Sequence, residues 1–422
     1  MASQASQAQT QGEESYILPT YPRPSPLITR GEGSYVTDVN GKKYLDFTSG
    51  IAVVSLGHAD PQITSLIADQ AGKLMHISML YENEWANILA KNLVTTTKAS
   101  GTMSDAYQVF LASSGTEANE AAFKFARNFA KMDPSGEKFE IIAFTNAFHG
   151  RSLGSLSATY NPKYRDPFGP LVPGFKHGTF NSIEGLDSLI TDKTCAVIVE
   201  PLQGEGGIIP AKPEFLAALR KRCDETRALL IIDEVQSGVG RTGSLWAHAH
   251  PSLRDPKTGK VVAEPDILTS AKGLGNGFPV GATIVTRRVA ETVSVGIHGT
   301  TYGGNPVASR IASHVLDRVS QKDFLKQVDA KSQHLIKGLK NLQAQVPNVI
   351  KDVRGKGLMI GVELEPALSD KVPGVIRAAR ERGLLIIVAG SCIRIVPPLT
   401  IEVKDLDKGL EIFKRALQDL CL

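Results

Sequence analysis

Apolar positions fall into two alternating patterns along most of this chain. Short buried-type runs at 109–112, 141–144, 196–199, 229–232 and 282–286 read as strands. Stretches with helical spacing at 117–131, 213–226 and 306–319 lie between or after them. Uninterrupted apolar strands separated by amphipathic helices predict a mostly parallel sheet covered on both faces. Ahead of this region, 33–47 alternates like a β-hairpin, with Asn40-Gly41 as its turn. The segment 48–61 is rich in glycine and small residues and reads as a loop, and 61–75 and 83–95 have helical spacing. A long helix at 323–345 leads to strands at 353–363, 384–387 and 393–396 and helices at 371–382 and 404–420. The pattern predicts an α/β fold with a large domain at 76–320. A smaller α+β domain is expected from segments 21–75 and 321–422, and a disordered tail at 1–20.

Composition narrows the class. Hydrophobic residues make up 42% and charged residues 21% of 422, ordinary for a globular enzyme. The formal net charge is +4 and no dense basic run appears, which argues against nucleic acid. No apolar segment is long enough to span a bilayer. Cys195, Cys223, Cys392 and Cys421 are widely spaced, which suits a reducing compartment better than a disulfide framework or zinc site. The first 20 residues are polar, with Glu13 and Glu14 and no arginine. They lack the Arg-rich signature of a mitochondrial presequence, so a cytoplasmic location is expected.

Candidate chemistry centres on EPDILTSAKGLGNGFPVGA, residues 264–282. Lys272 follows an apolar lead and precedes three glycines within five residues. A lysine held in such a pocket is desolvated, loses its charge more readily and becomes a nucleophile toward carbonyls, that of pyridoxal phosphate foremost. Taken alone, a Lys-Gly step is more often a helix end with a solvated charge. Asp233 ends the buried run LLIIDE and so stands at the carboxyl edge of the sheet, where open α/β sheets bind ligands. There it could keep a pyridine nitrogen protonated, or bind a metal in a phosphate-cleaving enzyme, although no Gly-Lys-Ser/Thr phosphate loop is present. In VFLASSGTEANE, Ser114 and Glu117 have capping-box spacing ahead of a helix. The stretch reads equally as a plain cap or a phosphate seat. Phe148, His149 and Arg151 follow a strand end, and the aromatic face could stack on a flat ring. Arg394 lies within an apolar run and needs an anionic partner, either a substrate carboxylate or a structural acid. Glu200 and Glu205 stand together in EPLQGEGG. Gly355-Lys356-Gly357 is followed by a strand, not the helix a dinucleotide loop requires, and His58 and His149 have no metal-ligand spacing.

These motifs, taken in order with GEGSYVTDVNGKKYLDFTSGIAV, LGHADP, IIDEVQSGVGRTG, HGTTYGGNP, RGKGLMIG and IRIVPPL, resemble the class III, fold-type I pyridoxal-phosphate aminotransferases. The resemblance runs from about Tyr21 to the C-terminus and is strongest to the fungal acetylornithine branch. It implies a homodimer with a seven-stranded, mostly parallel sheet. It also implies transfer of an ω-amino group, that of N2-acetylornithine first, to 2-oxoglutarate, as in arginine biosynthesis. Another ω-amino acid such as 4-aminobutyrate or ornithine is the alternative, and a non-catalytic binding relative the remote one. By the resemblance, Lys272 carries the cofactor and Asp233 partners its ring nitrogen. Ser114, Gly115 and Thr116 sit at its phosphate, with Thr301 reaching the phosphate of the neighbouring subunit. Phe148 stacks on the ring, with His149 and Gln236 beside it. Arg394 clasps the α-carboxylate of glutamate, and Glu200 pairs with Arg394 when an ω-amine donor binds. Arg151 holds the distal carboxylate, and Tyr21 is placed with the substrate-binding residues. The same family makes a mitochondrial location the alternative. The chain departs from the pattern at Ser113, Met79 and Val54, where relatives commonly carry Asn.

Overall fold

The computed structural model describes residues 16–22, 26–134 and 136–421. Most of the expected tail, residues 1–15, lies outside the described residues. At the centre is a seven-stranded sheet. Its strands run across the sheet as Ala106–Ala112, Gly281–Thr286, Ile267–Ser270, Leu229–Asp233, Thr194–Val199, Glu140–Phe144 and Phe175–Gly178. Gly281–Thr286 is antiparallel to both its neighbours, and the other pairings are parallel. The three central strands, Thr194–Val199, Leu229–Asp233 and Ile267–Ser270, are buried at every position, as a sheet covered on both faces requires.

Two of these strands escaped the hydrophobic pattern. Phe175–Gly178 is an edge strand of sequence FKHG with no buried residue. Ile267–Ser270 has only two strongly apolar residues and read as a lead into Lys272. The helices follow the 3.6-residue spacing closely. Pro213–Thr226 and Pro306–Val319 match the expected bounds, and Asn83 and Ser114 accept hydrogen bonds as the N-caps of Glu84–Ala99 and Gly115–Ala130.

The N-terminal hairpin forms as expected. Asp38 Oδ1 accepts from the amides of Asn40 and Lys42 at 2.9 Å, and Gly41 takes φ +82° in the turn. Ile28–Glu32 adds a third strand, and Leu384–Leu385 from the far end of the chain a fourth. A second four-stranded sheet holds Ile350–Lys356, Met359–Leu364, Cys392–Ile395 and Ile387–Ala389. The single strand expected at 353–363 is therefore a hairpin. Gly357 turns it at φ +56°, where a Cβ would lie 2.3 Å from the Arg241 carbonyl oxygen. The loop after the first hairpin contains four consecutive left-handed residues, Ser49 to Ala52. Each non-glycine there costs about 1–2 kcal/mol.

Candidate active site

Six chain segments meet at the carboxyl edge of the large sheet and enclose a cavity of about 370 Å³. Asp233, the last residue of its strand, lies opposite Thr269 in the parallel register, so the chain beyond Ser270 carries Lys272 past it. Lys272 takes φ +41°, a left-handed conformation unusual for a non-glycine residue. A Cβ at Gly273 would lie 2.7 Å from Ser55 Oγ, so the serine hydroxyl would have to turn aside. The Lys272 side chain is partly open to the cavity and otherwise enclosed by protein. Desolvation lowers its ammonium from the ordinary 10.5 to about 8. Glu205, Asp233 and Glu200 oppose that fall, and Arg394 adds to it.

Asp233 is buried and oriented from three sides. Its Oδ2 accepts from Asn119 Nδ2 at 2.8 Å and lies 2.8 Å from His149 Nδ1. Its Oδ1 accepts from the Val235 amide at 2.9 Å. A carboxylate offers about four acceptor positions, so one is left for a further donor. Asn119 was not singled out from the sequence. It lies one turn into the helix Gly115–Ala130 and also donates to the His149 carbonyl at 2.7 Å, while Thr269 Oγ1 donates to its Oδ1. The signal was its i+4 position from Gly115, on the same helix face. His149 Nε2 is buried with no hydrogen-bond partner among the described residues.

The amino end of that helix forms another wall. Ser114 Oγ accepts from the Glu117 amide at 3.3 Å, but the reciprocal arm goes to the Ser113 amide at 3.1 Å. The first amides of a helix have no partner within it and present a partial positive charge. Gly115 is required by close approach, since a Cβ would lie 2.6 Å from Val235 Cγ1. The Thr116 hydroxyl lies 2.6 Å from that of Ser152. Phe148 and Arg151 complete the lining with Gln236 and Phe278.

Glu200 is not the partner of Arg394. Coming straight off its strand, it is buried and spends its oxygens on the amides of Phe148 and Gly204, each at 3.0 Å. Burial, with repulsion from Asp233, pushes its carboxyl up to about 7 against the pull of His149. Glu205, five residues on, is carried beyond the strand end to Arg394 and accepts from its Nη1 at 2.7 Å. Gln236 Oε1 accepts from the same Nη1 at 2.8 Å. Arg394 is only 2% exposed and its Nε has no hydrogen-bond partner among the described residues. Two expected site residues stand away from the cavity within this chain. Tyr21 is 63% exposed on the irregular N-terminal segment, and Thr301 is exposed. Thr300 beside it donates to Glu117 Oε1 at 3.0 Å. His58 pairs with Asp46 at 2.8 Å rather than approaching the site.

The class-III aminotransferase family matches residues 19–417. The chain belongs to that family. It is 53% identical over 405 residues to the mitochondrial acetylornithine aminotransferase of Neurospora crassa, covering 96% of this chain and 85% of that protein. It is 44% identical to the succinylornithine transaminase of Yersinia pseudotuberculosis, covering 99% and 98%. Among solved structures, N-acetylornithine aminotransferase from Stenotrophomonas maltophilia superposes with a TM-score of 0.79 at 34% identity, covering 94% and 97%. Class-III aminotransferases are pyridoxal-phosphate enzymes of fold type I, and this chain is one. The site fits that cofactor: a depressed lysine amine, a carboxylate with one acceptor position left, a helix amino end and an aromatic face line one cavity.

Proposed function

We propose that this aminotransferase moves the ω-amino group of an N2-acylated ornithine, N2-acetylornithine first, to 2-oxoglutarate, giving the semialdehyde and glutamate. The observation that carries the reading is the buried Arg394 held by Glu205 beside Lys272. One site must serve a donor with no carboxylate at its reacting carbon and then glutamate, which has one. A buried arginine without an anion is costly, so Glu205 neutralises Arg394 for the ω-amine and gives way to the α-carboxylate of glutamate. Glu205 suits this movable role, because its side chain is 24% exposed while that of Arg394 is 3% exposed.

When bound, pyridoxal phosphate supplies the carbonyl that takes the amine and a ring that accepts the electron pair freed at the substrate carbon. Lys272 Nζ, with its charge loosened, takes the proton from the amine-bearing carbon and returns it. Asp233, fixed by Asn119, His149 and the Val235 amide, holds negative charge at the ring nitrogen. Ser114, Gly115 and Thr116 hold the phosphate at the helix amino end. Phe148 and Gln236, which line the cavity, would flank the ring, and Arg151 would hold the donor's distal carboxylate.

The working unit is a homodimer, with Thr301 completing the partner's phosphate site. Exposed Met75, Met79, Leu80 and Tyr81 support this, Leu80 at 86%. Tyr302, also exposed, lies 5.4 Å ring to ring from His76, which joins them into one apolar patch beside Thr301. The division into 21–75, 76–320 and 321–422 is supported by the separate sheets and by the N-terminal hairpin sharing one with Leu384–Leu385. A mitochondrial location is favoured over the cytoplasmic one by the names of the fungal relatives. Among the described residues no helix is long and apolar enough to cross a membrane.

The test is a donor panel against 2-oxoglutarate: N2-acetylornithine, N2-succinylornithine, ornithine and 4-aminobutyrate. The reading requires the highest kcat/KM with N2-acetylornithine. A higher value with ornithine or 4-aminobutyrate overturns it, and one with the succinyl donor moves the acyl assignment.

A further inference from the structure

Arg151 stands out among the cavity's charged residues. It is exposed, and its guanidinium makes no hydrogen bond or ion pair with any described residue. It is nonetheless held. Its Cζ lies 3.6 Å from the Tyr164 ring centroid and 5.5 Å from that of Phe148. The two rings meet edge to face at 6.1 Å. The root of the side chain is fixed as well, because Gly150 adopts φ +136° where a Cβ would lie 2.4 Å from Thr116 Oγ1. Tyr164 comes from the short helix Pro162–Arg165, outside the 370 Å³ cavity, and faces a neighbouring cleft of about 810 Å³ that Phe148 also lines.

We propose that Tyr164 is a positioning residue that shelves the Arg151 guanidinium at the substrate's distal carboxylate. This rests on the reading of Arg151 as the clamp for that carboxylate. An acidic partner would fix Arg151 by consuming its N–H groups and would compete with the substrate. An aromatic ring fixes the plane of the guanidinium and leaves all five donors free for a two-pronged grip. The phenol hydroxyl takes no part, so phenylalanine serves equally.

The test is calorimetric titration of the holoenzyme with glutarate, a dicarboxylate with no amine or keto group to react. Wild type is compared with Tyr164→Phe, Tyr164→Leu, Arg151→Ala and the Tyr164→Leu/Arg151→Ala double variant. Glutarate should bind roughly 2- to 5-fold more weakly to Tyr164→Leu, the size of a cation–π contact at an exposed site. Tyr164→Phe should match wild type, and the double variant should be no weaker than Arg151→Ala alone. With N2-acetylornithine, Tyr164→Leu should raise KM and leave kcat unchanged. If Arg151→Ala binds glutarate like wild type, the clamp reading itself is wrong. If Arg151→Ala weakens binding while Tyr164→Leu does not, or if Tyr164→Phe loses as much as Tyr164→Leu, the shelf is overturned and the clamp stands. Should Tyr164→Leu misfold, Tyr164→Met, also without a ring, carries the same comparison.

Discussion

Glu205→Gln is the perturbation that separates the two half-reactions. Glu205 accepts one hydrogen bond from a nearly inaccessible guanidinium at 2.7 Å, and in the proposed exchange the α-carboxylate of glutamate displaces it. A hydrogen bond to a charged group nets about 1.5–3 kcal/mol. Glutamine keeps the shape and a neutral acceptor of about half the strength, so the opposition falls by about 0.8–1.5 kcal/mol. At 1.4 kcal/mol per factor of ten, glutamate should gain roughly 4- to 12-fold relative to the ω-amine donor. Single-turnover kcat/KM for each half, followed by the cofactor's absorbance, reads this ratio directly. Glu200→Gln serves as the contrast and should leave the ratio unmoved, since its oxygens hold backbone amides rather than Arg394. Arg394→Ala should damage the glutamate half far more than the ω-amine half. An unchanged ratio in Glu205→Gln, or equal losses in both halves for Arg394→Ala, would make the pair a structural ion bridge.

Asp233→Asn should keep the fold and slow both half-reactions by roughly two orders of magnitude or more, as expected when a preorganised charge is removed; a near-normal rate would contradict the ring-nitrogen role. In the cofactor-free protein, the raised Glu200 carboxyl binds a proton that the unfolded chain has released. Stability should therefore fall as pH rises from about 4.5 to 7, and denaturation midpoints for Glu200→Gln should lack that slope. The lowered Lys272 amine acts in the opposite sense, so stability should recover as pH rises from about 8 to 10.5, and Lys272→Met should abolish that rise. Sedimentation should find a dimer at assay concentration, with Thr301→Ala weakening cofactor retention; a fully active monomer would refute the shared site.

The residues on strand ends and helix starts were legible because position follows from periodicity. Asp233 closes a buried apolar run, and Ser114 precedes an amphipathic helix, so both had to reach the same edge. Pairings across the fold were not legible in that way. Glu200 and Glu205 are five residues apart in one motif, and only the turn after Thr194–Val199 decides which reaches Arg394 on a strand of another sheet. Asn119 was hidden because its i+4 position from Gly115 does not say which distant residues it meets, and its three partners are 30 to 150 residues away. The edge strand Phe175–Gly178 was missed because an edge strand needs no continuous apolar run, and the hairpin at Gly357 because two adjoining strands share one alternating pattern.

The central claim is that Lys272 holds the cofactor and moves the proton. Borohydride reduction of the purified holoenzyme, followed by peptide mass mapping, tests it most directly. The account predicts one modified peptide, carrying the pyridoxyl phosphate on Lys272, and none in Lys272→Ala. Label on any other lysine of the wild-type protein would contradict it.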